Sequence, residues 1–334
     1  DGCMSLIEVK KLTKTYRVTK NKEKIVDRIK NLLFPEYEYI KAVNSISFNI
    51  DEGEIVGYLG ENGAGKSTTI KMLTGILTPT SGSAIVNGRV PYQKRMENNI
   101  EIAAIFGQKT SLWWDLPVID SLKLIGSMYK MDIKTYKRNL EYIINELQLQ
   151  ELLQKQVKNL SLGQKMKCEI AAAFLHNPKI VYLDEPTIGL DILVKENIRR
   201  FIKDMNKKFN TTIILTTHDV KDVEELCRRI ILVDRGKKIY DGDINEFKEI
   251  YTTESYVTLV KQSLIKNIDC NKENFDIIYE DENTLKIKYD PKEINTVEII
   301  SIIGKHYKIV DAKTETPGLE ELLKKVYRGV DDVK

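Results

Sequence analysis

The sequence predicts an α/β protein with a mainly parallel core sheet, an antiparallel β subdomain, a helical subdomain and a small C-terminal α+β domain. Three observations lead there. An apolar run at 54–59 feeds a glycine-rich loop, and a helical pattern follows over 68–73. Strand-like and helix-like segments then alternate from 160 to 234, as they do in doubly wound parallel sheets. After Asp241-Gly242 the pattern changes to short strands with two short helices, and a separate domain is expected there.

In chain order, 5–16 reads as a strand running to an aromatic, and 41–50 alternates apolar and polar residues as an antiparallel strand does. Asp51-Glu52-Gly53 is a turn. Between the two strands, 17–40 holds Ile25, Ile29, Leu32 and Leu33 at helical spacing, closed by Phe34-Pro35. A basic amphipathic helix is therefore expected inside an otherwise tight hairpin. Ile105-Phe106-Gly107 ends an apolar strand before Gln108. Residues 117–156 read as helical, with Leu122, Ile125 and Tyr129, then Leu140, Ile143, Ile144 and Leu147, recurring every three or four positions. Beyond 160 come a helix, strand 179–183, helix 194–208, strand 212–216, helix 220–228 and strand 230–233. The C-terminal region offers strands at 256–260, 275–279, 284–288 and 307–312, with helices near 293–303 and 318–328. No internal repeat and no low-complexity tract interrupts the series.

Bulk properties narrow the class. At 334 residues, 42% hydrophobic and 30% charged, the chain has the composition of a soluble protein of about two domains. Its longest apolar runs, such as 213–215 and 230–233, are strand-sized, against the ~20 residues of a membrane span. No charged-then-apolar leader opens the sequence, so a cytosolic protein is expected, with any membrane part supplied by another polypeptide. A net charge of +3 argues against nucleic acid as a partner. The local balance differs, because 10–30 carries nine Lys or Arg against Glu23 and Asp27. Cys3, Cys168, Cys227 and Cys270 have no C-x-x-C spacing and are expected as reduced thiols.

The chemistry starts at GENGAGKST, 60–68, which contains G-x-x-x-x-G-K-[ST] through Gly60, Gly65, Lys66 and Ser67. Chance alone would produce that pattern in about one chain in a hundred of this length, so the flanks decide. A strand before and a helix after are what the motif requires. In that setting the backbone from Gly60 through Glu61, Asn62, Gly63, Ala64 and Gly65 to Thr68 would cradle phosphates at a helix N-terminus. Lys66 would neutralise them. Asp184 and Glu185 end an apolar strand, where open parallel sheets place their ligands.

Read together, GENGAGKST, Gln108, LSLGQ at 160–164, IVYLDEP at 180–186 and TTHD at 216–219 resemble the ATP-binding cassette family over roughly 5–245. LSGGQ is that family's own signature. The resemblance implies a P-loop NTPase cassette at 4–244, a helical subdomain at 109–178 and an accessory domain at 245–334. It implies an ATPase using ATP and Mg²⁺, with the ion held by Ser67, Gln108 and Asp184. Glu185 would be the general base, His218 would reach the γ-phosphate and Tyr16 would stack on adenine. Ser161, Gly163 and Gln164 would contact a nucleotide held by a second subunit, and Asp191 belongs to the Gly189-Leu190-Asp191 loop through which the halves sense each other.

LSLGQ departs from the signature by placing Leu162 where glycine is usual. Either the backbone there is ordinary or the loop is strained. Two readings also stand for adjacent Trp113 and Trp114: core packing for one of them, or a groove for a helix of a membrane subunit. The 17–40 insertion likewise reads either as a surface helix on its own domain or as an element beside the membrane. The leading expectation is an ATPase subunit that forms a homodimer or heterodimer and drives an integral membrane permease from the inner face of the membrane. LTGILTPTSG at 73–82 resembles the branch serving exporters of drugs, lipids or polysaccharides. A soluble cassette ATPase acting on ribosomes or DNA is the alternative. Such relatives carry two cassettes, a long coiled coil or zinc-binding insertions, none of which this sequence has.

Overall fold

Alternating apolar residues pair the first two strands, β1 (Ile7–Thr19) and β2 (Tyr37–Ile50), in antiparallel register. The computed structural model describes residues 5–19, 37–107, 110–262 and 274–331. Gln108, Cys3, Cys270 and residues 20–36 of the expected inserted helix lie outside them. The edges of that insertion are corrected: 17–19 and 37–40 are strand, paired Arg17↔Tyr39 and Thr19↔Tyr37. The Arg17 guanidinium lies 4.1 Å from the centre of the Tyr37 ring, which helps such a bare two-stranded arm to hold.

After β3 (Ile55–Leu59) come helix Lys66–Leu73, β4 (Ser81–Val86), helix Arg95–Glu101 and β5 (Ile102–Phe106). Helices Val118–Met128, Ile133–Leu147 and Leu162–Phe174 precede β6 (Ile180–Asp184). The helical region expected over 117–156 is two main helices that part at Lys130, whose φ of 52° is left-handed. Asp132 then caps the second helix, accepting from the N–H groups of Lys134 at 3.1 Å and Thr135 at 2.9 Å. Helix Ile192–Phe209 leads to β7 (Thr212–Thr216), and helix Val220–Leu226 leads to β8 (Arg229–Asp234) and β9 (Lys237–Asp243).

These strands form a sheet of order β5-β6-β7-β3-β8-β9, parallel except for β9 at the edge. Every residue of β6 and β7 is buried, as expected for central parallel strands with both faces covered. A second sheet, β2-β1-β4, shares a core with the first through Ile7, Leu12, Ile46 and Phe48 against Tyr182, Ile214 and Ile231. The C-terminal ends of β3, β6 and β7 therefore open onto one crevice.

The chain divides into two compact units, Asp1–Asp243 and Ile244–Lys334. The second begins with helix Ile244–Tyr251 and contains β10 (Ser255–Gln262), β11 (Phe275–Glu280), β12 (Thr284–Tyr289) and β13 (Lys308–Glu315) in the antiparallel order β11-β12-β10-β13. Helices Thr296–Ile303 and Leu319–Asp331 complete it. Val257, Leu259, Leu285, Ile287, Ile299 and Ile303 form its own core.

Candidate functional site

The loop after β3 is shaped by glycine. Gly65 has φ 101°, and a Cβ there would lie 2.3 Å from the Ala42 carbonyl oxygen, so no other residue fits. The loop runs straight into helix Lys66–Leu73, which turns backbone N–H groups towards the crevice. Lys66, only 8% exposed, folds its ammonium back to donate to the carbonyls of Gly60 at 2.6 Å and Glu61 at 3.2 Å. Burial pushes its pKa down, and nearby Glu185, Asp184 and Glu61 oppose that shift. A buried ammonium held only by carbonyls gains by meeting an anion. Lys66, Ser67, Thr68, Asn62, Gly63, Ala42, Asp184, Glu185 and His218 surround a cavity of about 480 Å³ beside it.

Asp184 ends β6. The Ser67 hydroxyl donates to one of its oxygens at 2.9 Å, and the Thr216 hydroxyl donates to the other. Glu185, the next residue, is held at φ 58° while its N–H donates to the Thr216 carbonyl at 3.0 Å. A non-glycine residue in that region is strained, and strain of this kind collects at functional sites. Glu185 accepts from the His218 backbone N–H at 3.4 Å. His218 Nε2 lies 3.3 Å from Oε1 of Glu185, yet this buried oxygen has no hydrogen-bond partner. Burial pushes the Glu185 pKa up, opposed by His218 and Lys66. His218 Nε2 also sits 3.1 Å from Oδ1 of Asn62, joining the end of β7 to the glycine-rich loop.

The donor set fits both expected ligands. A carboxylate and a hydroxyl at hydrogen-bond distance are the hard oxygen donors that Mg²⁺ takes when phosphates complete its shell. An open glycine loop beside a buried lysine is a polyphosphate cradle.

Other expected residues lie elsewhere. Ser161 caps helix Leu162–Phe174: its hydroxyl accepts from the Gln164 N–H at 3.3 Å, and the Gln164 side chain accepts from the Ser161 N–H at 3.1 Å. Leu162 is the first helical residue and is not among the positive-φ positions, so the backbone is ordinary and the strained alternative is dropped. At Gly163 a Cβ would lie 3.3 Å from a Val194 methyl. Asp191 caps helix Ile192–Phe209 by accepting from Val194 N–H at 3.0 Å. None of Ser161, Gly163, Gln164 and Asp191 lines the cavity. Tyr16 pairs with Ile40 on the arm that leads to Ala42, but does not itself line the cavity.

Core packing of a tryptophan is corrected: Trp113 is 38% exposed and Trp114 52%. Cys168 and Cys227 are buried free thiols. The sequence analysis missed Thr216, and it missed Asp222, which is fully buried and accepts from Arg199 at 2.7 Å, Thr217 at 3.3 Å and Thr187. Only the Thr217 contact could be suspected from nearness along the chain to His218.

Comparison with known proteins places these features in context. The family model described as ABC transporter matches residues 43–188. The ABC transporter ATP-binding protein NatA of Bacillus subtilis is 31% identical over 229 residues, 69% of this chain and 93% of NatA. The uncharacterized ABC transporter ATP-binding protein MJ1023 of Methanocaldococcus jannaschii is 34% identical over 206 residues, 62% of this chain and 73% of that protein. Among solved structures, the dimeric post-hydrolysis ATP-binding cassette MJ0796 bound to ADP and Pi superposes with a TM-score of 0.60 at 25% identity. It covers 71% of this chain and 98% of its own.

Proposed function

The chain belongs to the ABC transporter ATP-binding proteins and is an ATPase of that family, and on that premise we propose that it dimerises on ATP and drives a separate membrane permease. The observation that carries the chemistry is the gathering of Lys66, Ser67, Asp184, Glu185 and His218 around one cavity. Lys66 exchanges its two carbonyl partners for phosphate oxygens, and the loop N–H groups hold the rest of the polyphosphate. Ser67 and Asp184, with Gln108, would hold Mg²⁺, which would neutralise phosphate charge. Glu185 would act as general base on a water, and burial, by raising its pKa, makes its carboxylate a stronger base than a free one. His218, tied to Asn62 and Glu185, orients the terminal phosphate. Tyr16 stacks on adenine from the hairpin arm that delivers Ala42.

Ser161, Gly163, Gln164 and Asp191 serve the nucleotide of a second subunit, since they stand outside the cavity of their own chain. A permease at the inner face of the membrane receives the work, in the direction of export of a drug, lipid or polysaccharide. Glu185→Gln tests the reading. ATP binding should persist while hydrolysis falls by about a hundredfold or more, and a nucleotide-bound dimer should appear by size exclusion. Near-wild-type turnover in that variant overturns the assignment.

A further inference from the structure

Glu169 is an acid in an apolar helix. It lies in the run Cys168-Glu169-Ile170-Ala171-Ala172-Ala173 of helix Leu162–Phe174 and is 4% exposed. Burying a carboxylate is costly unless donors surround it. Here the donors come from one short loop. Ser111 donates twice, through its N–H at 3.0 Å and its hydroxyl at 2.5 Å, and the Thr110 hydroxyl donates as well. Thr110 in turn accepts from Leu112 N–H at 3.1 Å, so the loop is folded around these bonds.

At its other end the same loop is held differently. Gly107 N–H donates to the carbonyl of Asp184 at 2.9 Å. Gly107 is therefore held to the strand end bearing Asp184, and Thr110 and Ser111 are held to the helix headed by Ser161 and Gln164. A further contact runs in parallel: the Lys165 ammonium of that helix sits 4.7 Å from the Trp114 ring centre.

We propose that Glu169 is a positioning residue: it latches the loop after β5 to helix Leu162–Phe174, so that a shift at the nucleotide end of the loop carries the signature helix with it. The latch is two-state in character. Its donors are neutral, and if the loop leaves, the carboxylate stays in an apolar helix interface with its hydrogen bonds unmade. Loop and helix thus move together or separate outright. An apolar residue at 169 would leave the loop free to follow the nucleotide alone. The proposal rests on the ATPase reading for its nucleotide and kinetic tests, and not for the nucleotide-free exchange.

Hydrogen–deuterium exchange on the full chain separates the possibilities. In the nucleotide-free protein, Glu169→Ala should speed exchange of the 110–112 amides about tenfold, because Ser111 N–H loses its acceptor. Adding a non-hydrolysable ATP analogue should change exchange in both 104–112 and 162–174 of the wild type. In Glu169→Ala the first segment should respond and the second should not. Turnover should fall about tenfold to a hundredfold with KM for ATP within about threefold, the mark of lost positioning rather than lost binding. Ser111→Ala, which keeps its N–H, should give a smaller loss that adds nothing to Glu169→Ala. If Glu169→Ala does not fold, Glu169→Leu takes its place, of similar size and without an acceptor, and the same split between the two segments is expected. Joint response of both segments in the folded variant, with turnover within about twofold of wild type, overturns the latch. Absent turnover in the wild type would instead count against the ATPase reading and leave the nucleotide-free exchange to decide.

Discussion

His176 shows how one residue's surroundings set a pH limit. Its ring stacks on Tyr129 with centroids 3.6 Å apart, its Nε2 lies 3.2 Å from the Ile102 carbonyl oxygen, and its Nδ1 is buried without a partner. Burial lowers its pKa from 6.5 to about 4. Folded His176 is therefore neutral with Nε2 as donor, whereas the unfolded chain takes up a proton below pH 6.5. Stability from this site is fully present above pH 6.5 and is lost progressively as pH falls towards 4, by up to about 3 kcal/mol. His176→Phe should keep the stack and remove the titration. Urea midpoints at pH 7.5, 5.5 and 4.5 should show the wild type losing ground relative to the variant as pH drops. Parallel lines would disprove the assignment. At this scale legibility follows contiguity. Lys66, Ser67, Asp184 and Glu185 lie in unbroken motifs and could be read directly. Thr216 lies in the TTHD run but takes its role only from Asp184, and Glu169 and Asp222 gain theirs mainly from partners as distant as Thr110 is from Glu169.

The elements were legible where one period dominated. Buried β6 and β7 are continuous apolar runs, and the long helices repeat every three or four residues. β4 and β9 were missed because Ser81-Gly82-Ser83 and Asp241-Gly242-Asp243 look like turns, while partner strands supply their hydrogen bonds. The hairpin arm was misjudged for a related reason. Val18, Tyr39 and Ile40 are 43%, 68% and 49% exposed, so burial gave no alternation to read. Residues 20–36 beyond the arm carry Lys20, Lys22, Lys24, Arg28 and Lys30, and each basic residue near anionic headgroups can contribute ~1 kcal/mol. Replacing 20–36 with a short Gly-Ser linker should leave the ATPase rate of the isolated chain within about threefold. Transport-coupled ATPase with the permease in liposomes should fall much further. Equal losses in both assays would make the segment part of the fold and end the docking idea.

At the scale of the whole molecule, the proposed reading is that one chain holds two unlike half-sites. Lys66 lines the cavity, whereas Ser161 stands outside it and caps a helix. That cap uses the Ser161 hydroxyl as an acceptor from Gln164 N–H, which leaves the hydroxyl proton free to donate to a phosphate. The phosphate would be one held by another copy. A two-fold dimer then has two sites, each built from Lys66 of one chain and Ser161 of the other. Lys66→Ala should weaken binding of a fluorescent ATP analogue and abolish hydrolysis. Ser161→Arg should bind the analogue and still not hydrolyse, since a bulky cation replaces the donor and the cap. Mixed in equal amounts, the two variants form heterodimers with one intact site and one doubly damaged site. Statistical pairing then restores about a quarter of the wild-type sites if the sites act independently, and less if both must fire together. The measurement is ATPase activity of the mixture against each variant alone, with dimer formation followed by light scattering. A mixture that stays inactive while both variants dimerise would place the signature helix in its own chain's chemistry, against the geometry of the cavity.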